Sequence, residues 1–406
     1  MMQDKNHMII PEEVLFVISR LESCGYHAYC VGGCVRDHLM GRTPGDYDVT
    51  TSAKPDEMLR IFSDCRLVET GLQHGTVTIV RGGMNIEVTT YRIDGTYDDG
   101  RHPDHVTFTD RLSDDLCRRD FTINAMAYSP ERGIVDLFGG QNDLERKIIR
   151  CVGRAEERFS EDGLRIMRAL RFAAVLDFAP DEECAAAVRT LVHLLDRISR
   201  ERIYTELTKL LGGIGAARIL RAFPAVIAHV LPGVTAEDVE KAADAIARDD
   251  ALYAAERREA AMRYALLFAR LSDADAKNAM QSLKPSKAEL KDVLLYRTDT
   301  PSAGTYEIRK LMSRTDDNAP AALARFACIS GALSYEEADA VRREAASVTE
   351  KNLVRRLSML TVTGNDLAQC GLRGKEIGEK LSEALDAVMR GEIGNTKDEI
   401  IHYLTN

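Results

Sequence analysis

Residues 28–50 read AYCVGGCVRDHLMGRTPGDYDVT, and the folding of this stretch decides the architecture of the first third of the chain. Residues 28–31 are small, aromatic and β-branched side chains, which predicts a short strand ending at Gly32-Gly33. Residues 34–40 then read as a helix that stops at Gly41. A turn, Arg42-Thr43-Pro44-Gly45, leads into Asp46-Tyr47-Asp48-Val49-Thr50, predicted as a second strand. Further along, residues 76–80 and 86–91 are rich in β-branched residues and flank Gly82-Gly83. That pattern predicts a hairpin. From about Asp143 onward, Leu, Ala, Arg and Glu dominate in helical spacing, with breaks near Gly212-Gly213, Pro232-Gly233, Pro285 and Pro301. The expected organisation is an α/β head, a small mixed β-sheet with helices over residues 1–150, followed by an all-helical remainder that divides near 215 and 335.

Composition sets limits on function. A chain of 406 residues is too long for one ordinary core. Its 45% hydrophobic and 29% charged residues are those of a globular protein. No apolar run approaches the roughly 20 residues of a membrane helix, and the first residues, MMQDKNHMII, do not form a signal peptide. Nine cysteines without a C-x-x-C pair imply reduced thiols and a cytoplasmic setting, not a disulfide framework. A net charge of −10 argues against tracking along a polyanion, yet it leaves room for a local basic patch that binds one.

Side chains on a strand repeat with period two, so Asp46 and Asp48 share a face. Two hard oxygen donors at that spacing can hold Mg²⁺. A lone D-x-D is usually a solvated strand end, but here it follows Gly33 by thirteen residues. The Gly32-Gly33 turn allows close approach of a phosphate to the backbone, and Arg36 adds a charge-assisted donor. Glu87 lies between Ile86 and Val88 and so faces away from the side they bury. It is a candidate third carboxylate, as a metal ligand or as acceptor of a proton from an attacking hydroxyl. Together these residues suit phosphoryl transfer assisted by two metals.

Residues 160–173, SEDGLRIMRALRFA, predict a helix with Ser160 as N-cap. Asp162 and Arg165, three apart, would be neighbours on its surface, with Arg168 and Arg171 continuing the step. A carboxylate only accepts hydrogen bonds and an arginine only donates them. Side by side they match an exocyclic amino group next to a ring acceptor, the order found on cytosine and adenine. Uracil and guanine would leave buried groups unpaired. Such a pair selects CTP and ATP without a nucleic-acid template. Between the two sites, Arg118-Arg119-Asp120 could contact triphosphate and ribose, while Asp136 to Asp143 read as turn and cap residues.

The ordered set G-G-x-V-R-D, D-Y-D, R-R-D-F-T-I-N-A-M-A, D-L-F-G-G-Q-N-D-L and E-D-G-L-R-I-M-R-A-L-R-F resembles the bacterial class II tRNA nucleotidyltransferases, that is, the CCA-adding enzymes, and the related poly(A) polymerases. The likeness is strong over residues 28–212 and weaker beyond. It implies a nucleotidyltransferase head (1–150), a neck (151–215), a helical body (216–335) and a tail that binds tRNA (336–406). It implies Asp46 and Asp48 as metal ligands, Glu87 as the third carboxylate, and nucleotide contacts at Gly32, Gly33, Arg36, Arg119, Asp120, Asp162, Arg165, Arg168 and Arg171. Residues 91–105 match the loop that helps CCA-adding enzymes switch from CTP to ATP. The substrates implied are tRNA, CTP and ATP, with no membrane and no protein partner. An enzyme that adds only CC or only A, a poly(A) polymerase, and an inactive RNA-binding scaffold are the alternatives. The intact acids oppose the last of these, and the ending DEIIHYLTN, which is not basic, opposes the poly(A) reading.

Overall fold

The computed structural model describes residues 8–95, 106–298 and 300–405. The chain forms two units: one of residues up to 243 with 258–260 and 278–285, the other of the remaining residues. Among the described residues, no helix is long and apolar enough to cross a membrane.

The first unit begins with helix α1 (Glu12–Ser23), strand β1 (Ala28–Val31), α2 (Gly33–Leu39), β2 (Asp48–Thr51), α3 (Pro55–Ile61) and β3 (Arg66–Val68). The predicted hairpin follows as β4 (Thr76–Arg81) and β5 (Met84–Thr90). Arg81 pairs with Met84 across Gly82-Gly83, whose φ values of +56° and +82° make a tight two-residue turn that favours glycine. A small ribbon, β6 (Arg92–Asp94) with β7 (Val106–Phe108), precedes α4 (Leu112–Cys117), β8 (Met126–Ser129), β9 (Gly133–Asp136) and α5 (Gly140–Arg146). Seven strands form one sheet in the order β3-β4-β5-β2-β1-β8-β9. Only β2 and β5 run parallel; every other pair in it is antiparallel.

One face of the sheet carries the main core. Val77, Ile79, Ile86 and Val88 are fully buried with Val49 and Cys30 against Val17, Ile18 and Leu21 of α1 and Met58 of α3. Each fully buried side chain of this kind contributes about 1.5–3 kcal/mol. The opposite face of β1 buries Tyr29 and Val31 in a smaller cluster with Tyr91, Leu116 and Ala127. Both faces of β1 are therefore covered, which explains its unbroken apolar run. On the second face of β2 and β5, Thr50 is buried, while Asp48 and Glu87 remain exposed.

Two predicted elements differ. The second strand starts at Asp48, so Asp46 lies just before it. The alternation still holds: Asp46 and Asp48 are exposed, while Tyr47 and Val49 are buried. Residues 160–173 are not one helix. A short strand β10 (Ile148–Ile149) leads to α6 (Ala155–Glu161), and the chain breaks at Asp162-Gly163 before α7 (Leu164–Leu176). Ser160 caps nothing; it is inside α6 and its Oγ donates to the Glu156 carbonyl at 2.7 Å. The cap falls to Asp162, whose Oδ1 accepts from the Leu164 N–H at 3.0 Å. Helix α7 is buried almost all round, packed against α9 (Arg200–Leu211), with β11 (Ala179–Pro180) and α8 (Glu182–Thr190) between them in sequence.

The second unit is helical from its portion of Ala236–Leu252 to Lys397–Thr405. Asp249, fully buried, accepts from Arg325 at 2.6 and 2.8 Å. All nine cysteines are free; Cys30 and Cys34 are buried and Cys24 is exposed.

Gly140 opens α5 because nothing larger fits: a Cβ there would stand 2.3 Å from the Thr122 carbonyl oxygen and 2.9 Å from Met126. Gly140→Ala is expected to lower the unfolding free energy by about 1–3 kcal/mol, read as a lower urea midpoint. An unchanged midpoint would show that the turn has slack.

Candidate active site

Parallel pairing of β2 with β5 sets Asp48 directly opposite Glu87. Asp46, Asp48 and Glu87 are all exposed on the open side of the sheet. The Asp48 carboxyl is held above the usual carboxylate range, first by desolvation, then by the Glu87 charge, with Asp46 adding to it and Arg119 opposing. Like charges crowded this way favour protonation or a bound cation. Among the described residues, no three acidic, histidine or cysteine side chains already stand at metal-enclosing spacing.

The glycine turn faces two guanidinium groups. Gly32 has φ +79° and ψ −127°, a backbone state that side chains other than hydrogen rarely allow. A Cβ at Gly32 would lie 3.2 Å from Arg119 Nη1, and one at Gly33 would lie 3.6 Å from Arg36 Nη2. Bare glycine thus lets both arginines come over the turn. Arg36 Nη1 donates to Asn124 Oδ1 at 2.7 Å, and its Nε donates to Asp37 at 2.9 Å. Arg119 Nη2 donates to Asp115 Oδ2 at 3.1 Å.

Asp120 ties the sheet domain to α7. Its Oδ1 accepts from the Phe121 N–H at 2.8 Å and from Asn124 at 3.3 Å, and its Oδ2 accepts from Arg168 Nε at 2.8 Å. Burial alone would raise its pKa, but Arg168, Arg165 and Asn124 outweigh that and bring it down to about 2. Arg171 Nε donates to Glu206 Oε2 at 2.8 Å. The guanidinium carbons of Arg36, Arg168 and Arg171 stand 5.3, 5.5 and 3.5 Å from the centre of the Phe172 ring. Three guanidinium groups thus gather around the buried Phe172 ring, within reach of cation–π attraction.

Asp162 and Arg165 are adjacent along the backbone, but their side chains are engaged with others. Asp162 Oδ2 accepts from Arg202 at 2.9 Å. Arg165 pairs with Glu161 and donates to the Arg158 carbonyl at 3.0 Å and the Arg118 carbonyl at 3.3 Å. Reading both as one helix face missed the break at Gly163. Asp136 caps α5, accepting from Gly140 and Gln141 N–H at 2.8 and 2.9 Å, as the turn reading expects. Of the loop expected at 91–105, residues 96–105 lie outside those described.

Residues 28–150 match the family described as "Poly A polymerase head domain", and 177–225 match "Probable RNA and SrmB- binding site of polymerase A". The CCA-adding enzyme of Geobacillus kaustophilus is 38% identical over 97% of this chain and 96% of its own length. That of Leuconostoc mesenteroides is 34% identical over 95% and 93%. The chain belongs to the CCA-adding enzyme family. The solved structure of the Bacillus stearothermophilus CCA-adding enzyme in complex with CTP has a TM-score of 0.80 at 34% identity, covering 98% of both chains. The Thermotoga maritima CCA-adding enzyme complexed with tRNA, at 21% identity and a TM-score of 0.66, shares the fold. The likeness to family members extends well past residue 212, into the part where the motifs fade.

Sequence reasoning missed the acids that hold the arginines: Asp115, Glu161 and Glu206. Asp115 had a signal, since it stands three and four residues before Arg118 and Arg119. Glu206 had none, because its partner lies 35 residues away.

Asp120 carries a pH signature. Its folded pKa of about 2 lies below the ordinary 3.8. The stability it adds is fully present above the ordinary value and disappears as pH falls toward the folded one, about 2 kcal/mol in all. Urea unfolding from pH 5 to pH 2 should show the gap between the native protein and Asp120→Asn narrowing. A gap constant with pH would contradict the assignment.

Proposed function

We propose that the protein adds C, C and A to tRNA 3′ ends without a nucleic-acid template, using CTP and ATP and releasing pyrophosphate. The observation that carries this is the in-register Asp48–Glu87 pair on the open sheet face, beside the Gly32 turn under Arg119, in a chain of the CCA-adding family. The hard oxygens of Asp46 and Asp48 suit Mg²⁺, and the charge crowding at Asp48 is what a cation would relieve. When bound, such ions supply Lewis-acid stabilisation of the phosphoryl oxygens.

The residues of this chain do the rest. Arg36 and Arg119 hold the triphosphate against the glycine turn. The 3′-hydroxyl oxygen forms a bond to the α-phosphorus, the bond to the bridging oxygen breaks, and pyrophosphate leaves. Glu87 accepts the hydroxyl proton. Asp162 accepts from the exocyclic amino group of cytosine or adenine, and Arg165 donates to the adjacent ring acceptor. Arg202 fixes the orientation of Asp162, whose oxygens retain lone pairs for the base. Reading through Arg165 exchanges one of its internal bonds for a bond to the base. Arg168 and Arg171, with Gly33 and Asp120, complete the nucleotide surface. Residues 1–150 serve as head, 151–215 as neck, 216–335 as body and 336–406 as the tRNA-binding tail.

With Mg²⁺, the purified protein should extend a tRNA ending at its discriminator base by C, C, then A, read on a sequencing gel with each nucleotide supplied separately. Unlimited A addition to unstructured RNA would instead indicate a poly(A) polymerase. Asp48→Ala should lower turnover by at least about 10³-fold while tRNA binding persists; retained turnover would remove the carboxylate assignment. Asp162→Ala should relax the rejection of UTP and GTP. Unchanged discrimination in that variant would exclude it from base reading.

A further inference from the structure

Asp115 is an acid that the proposed chemistry does not use, yet it is fully buried beside the site. It lies on α4, one turn before the two arginines of the RRD stretch. Its Oδ1 accepts from Arg118 Nε at 3.0 Å and Arg118 Nη2 at 2.7 Å. Its Oδ2 accepts from Arg119 Nη2 at 3.1 Å and from Thr50 Oγ1 at 3.1 Å. A carboxylate offers about four acceptor sites; three guanidinium N–H groups occupy three of them, and the Thr50 hydroxyl divides its one proton between Asp115 and the Thr89 carbonyl at 3.2 Å. The carboxylate is therefore fixed chiefly by the two guanidiniums and fixes them in turn. Thr50 stands two residues after Asp48 on β2, so the clamp is registered to the strand that carries the candidate catalytic acid.

Asp115 faces two guanidiniums; Arg118 has a second carboxylate at Asp94, whereas among the described residues Asp115 is the acid that pairs with Arg119. Among the described residues, the buried Nε of Arg119 has no hydrogen-bond partner, and its Nη1 lies over Gly32. Burying an unpaired donor is unfavourable unless a ligand satisfies it. Arg118 points the other way, with its Nη1 3.7 Å from Asp94 and its carbonyl accepting from Arg165. One acid thus holds the guanidinium at the Gly32 turn and the side chain of its neighbour Arg118.

We propose that Asp115 is a positioning residue for nucleotide binding, holding Arg119 over the Gly32 turn through one buried carboxylate. This rests on the functional reading given above. It places the effect of Asp115 on nucleotide affinity and not on the chemical step, since Asp115 reaches the reacting atoms only through the arginines.

The test uses the full chain, with CTP binding followed by titration calorimetry and A addition followed on tRNA ending in CC. Asp115→Asn keeps the shape and removes the charge. It should weaken CTP binding and raise the KM for ATP about tenfold, the effect of losing one charge-assisted interaction. Turnover at saturation should stay within about threefold, the pattern of lost uniform binding. Rejection of UTP and GTP should persist, because Asp162 and Arg165 are intact. A folded Asp115→Asn that binds CTP like the native protein, or that loses turnover at unchanged affinity, overturns the proposal. If Asp115→Asn does not fold by circular dichroism, Thr50→Val decides: it removes the hydroxyl that Asp115 Oδ2 shares with the Thr89 carbonyl and should weaken CTP binding about threefold, whereas native affinity overturns the proposal. A native protein that binds CTP but extends no tRNA refutes the functional reading, and the binding comparison still judges Asp115.

Discussion

Two carboxylates held side by side by backbone hydrogen bonds are the constraint around which the first unit is arranged. The only parallel pairing in the seven-stranded sheet puts Asp48 opposite Glu87. A register slip of one residue would turn Glu87 into the core and Ile86 or Val88 out of it. Val77 and Ile79 of β4 and Ile86 and Val88 of β5, all fully buried, forbid that slip. Hydrophobic burial on one face thus fixes the repulsion on the other. The sheet stores an electrostatic strain that only a proton, a cation or a nearby arginine can relieve.

Arginines supply part of that relief, and their own placement needs acids. Arg119 is held by Asp115, Arg165 by Glu161, Arg168 by Asp120 and Arg171 by Glu206. Each pair is buried or half-buried, where breaking it would leave a desolvated charge. This resolves the mismatch between a net charge of −10 and an anionic substrate. Acids near the site do not cancel its positive character; they fix guanidiniums whose other edges face the Gly32 turn and the Phe172 ring. Long flexible side chains become rigid donors, so less entropy is lost when a ligand arrives.

Much of this was legible in the sequence, for reasons that vary by residue. The strand before Gly32, the hairpin at Gly82-Gly83 and the outward Glu87 follow from period-two patterning and turn chemistry, which are local. The pairing of Asp48 with Glu87 is not local, since 39 residues separate them, and only the paired strands bring them together. The arginines were visible as residue types, but their partners were hidden. Asp120 meets Arg168 across 48 residues and Arg171 meets Glu206 across 35. Side chain contacts of that range leave no periodic trace.

The helix break at Asp162-Gly163 shows how a local pattern can mislead. Apolar spacing from residue 164 onward is helical, and Ser160 with two following acids looks like a helix start. Packing overrules that reading. A Cβ at Gly163 would lie 2.9 Å from the Leu194 carbonyl oxygen, so the chain passes there only as glycine. This close approach ends α6 one turn early and turns Asp162 into the cap of α7. The carboxylate then lies at the mouth between two helices and not along the side of one. Arg202, from α9, reaches it there. A cap position fixes a side chain more tightly than a helix face does, because the backbone N–H of Leu164 takes one oxygen and leaves the other to be aimed. In the base-reading role proposed for Asp162, that rigidity is what would make the wrong base costly, since a mobile carboxylate would turn away from it instead of rejecting it.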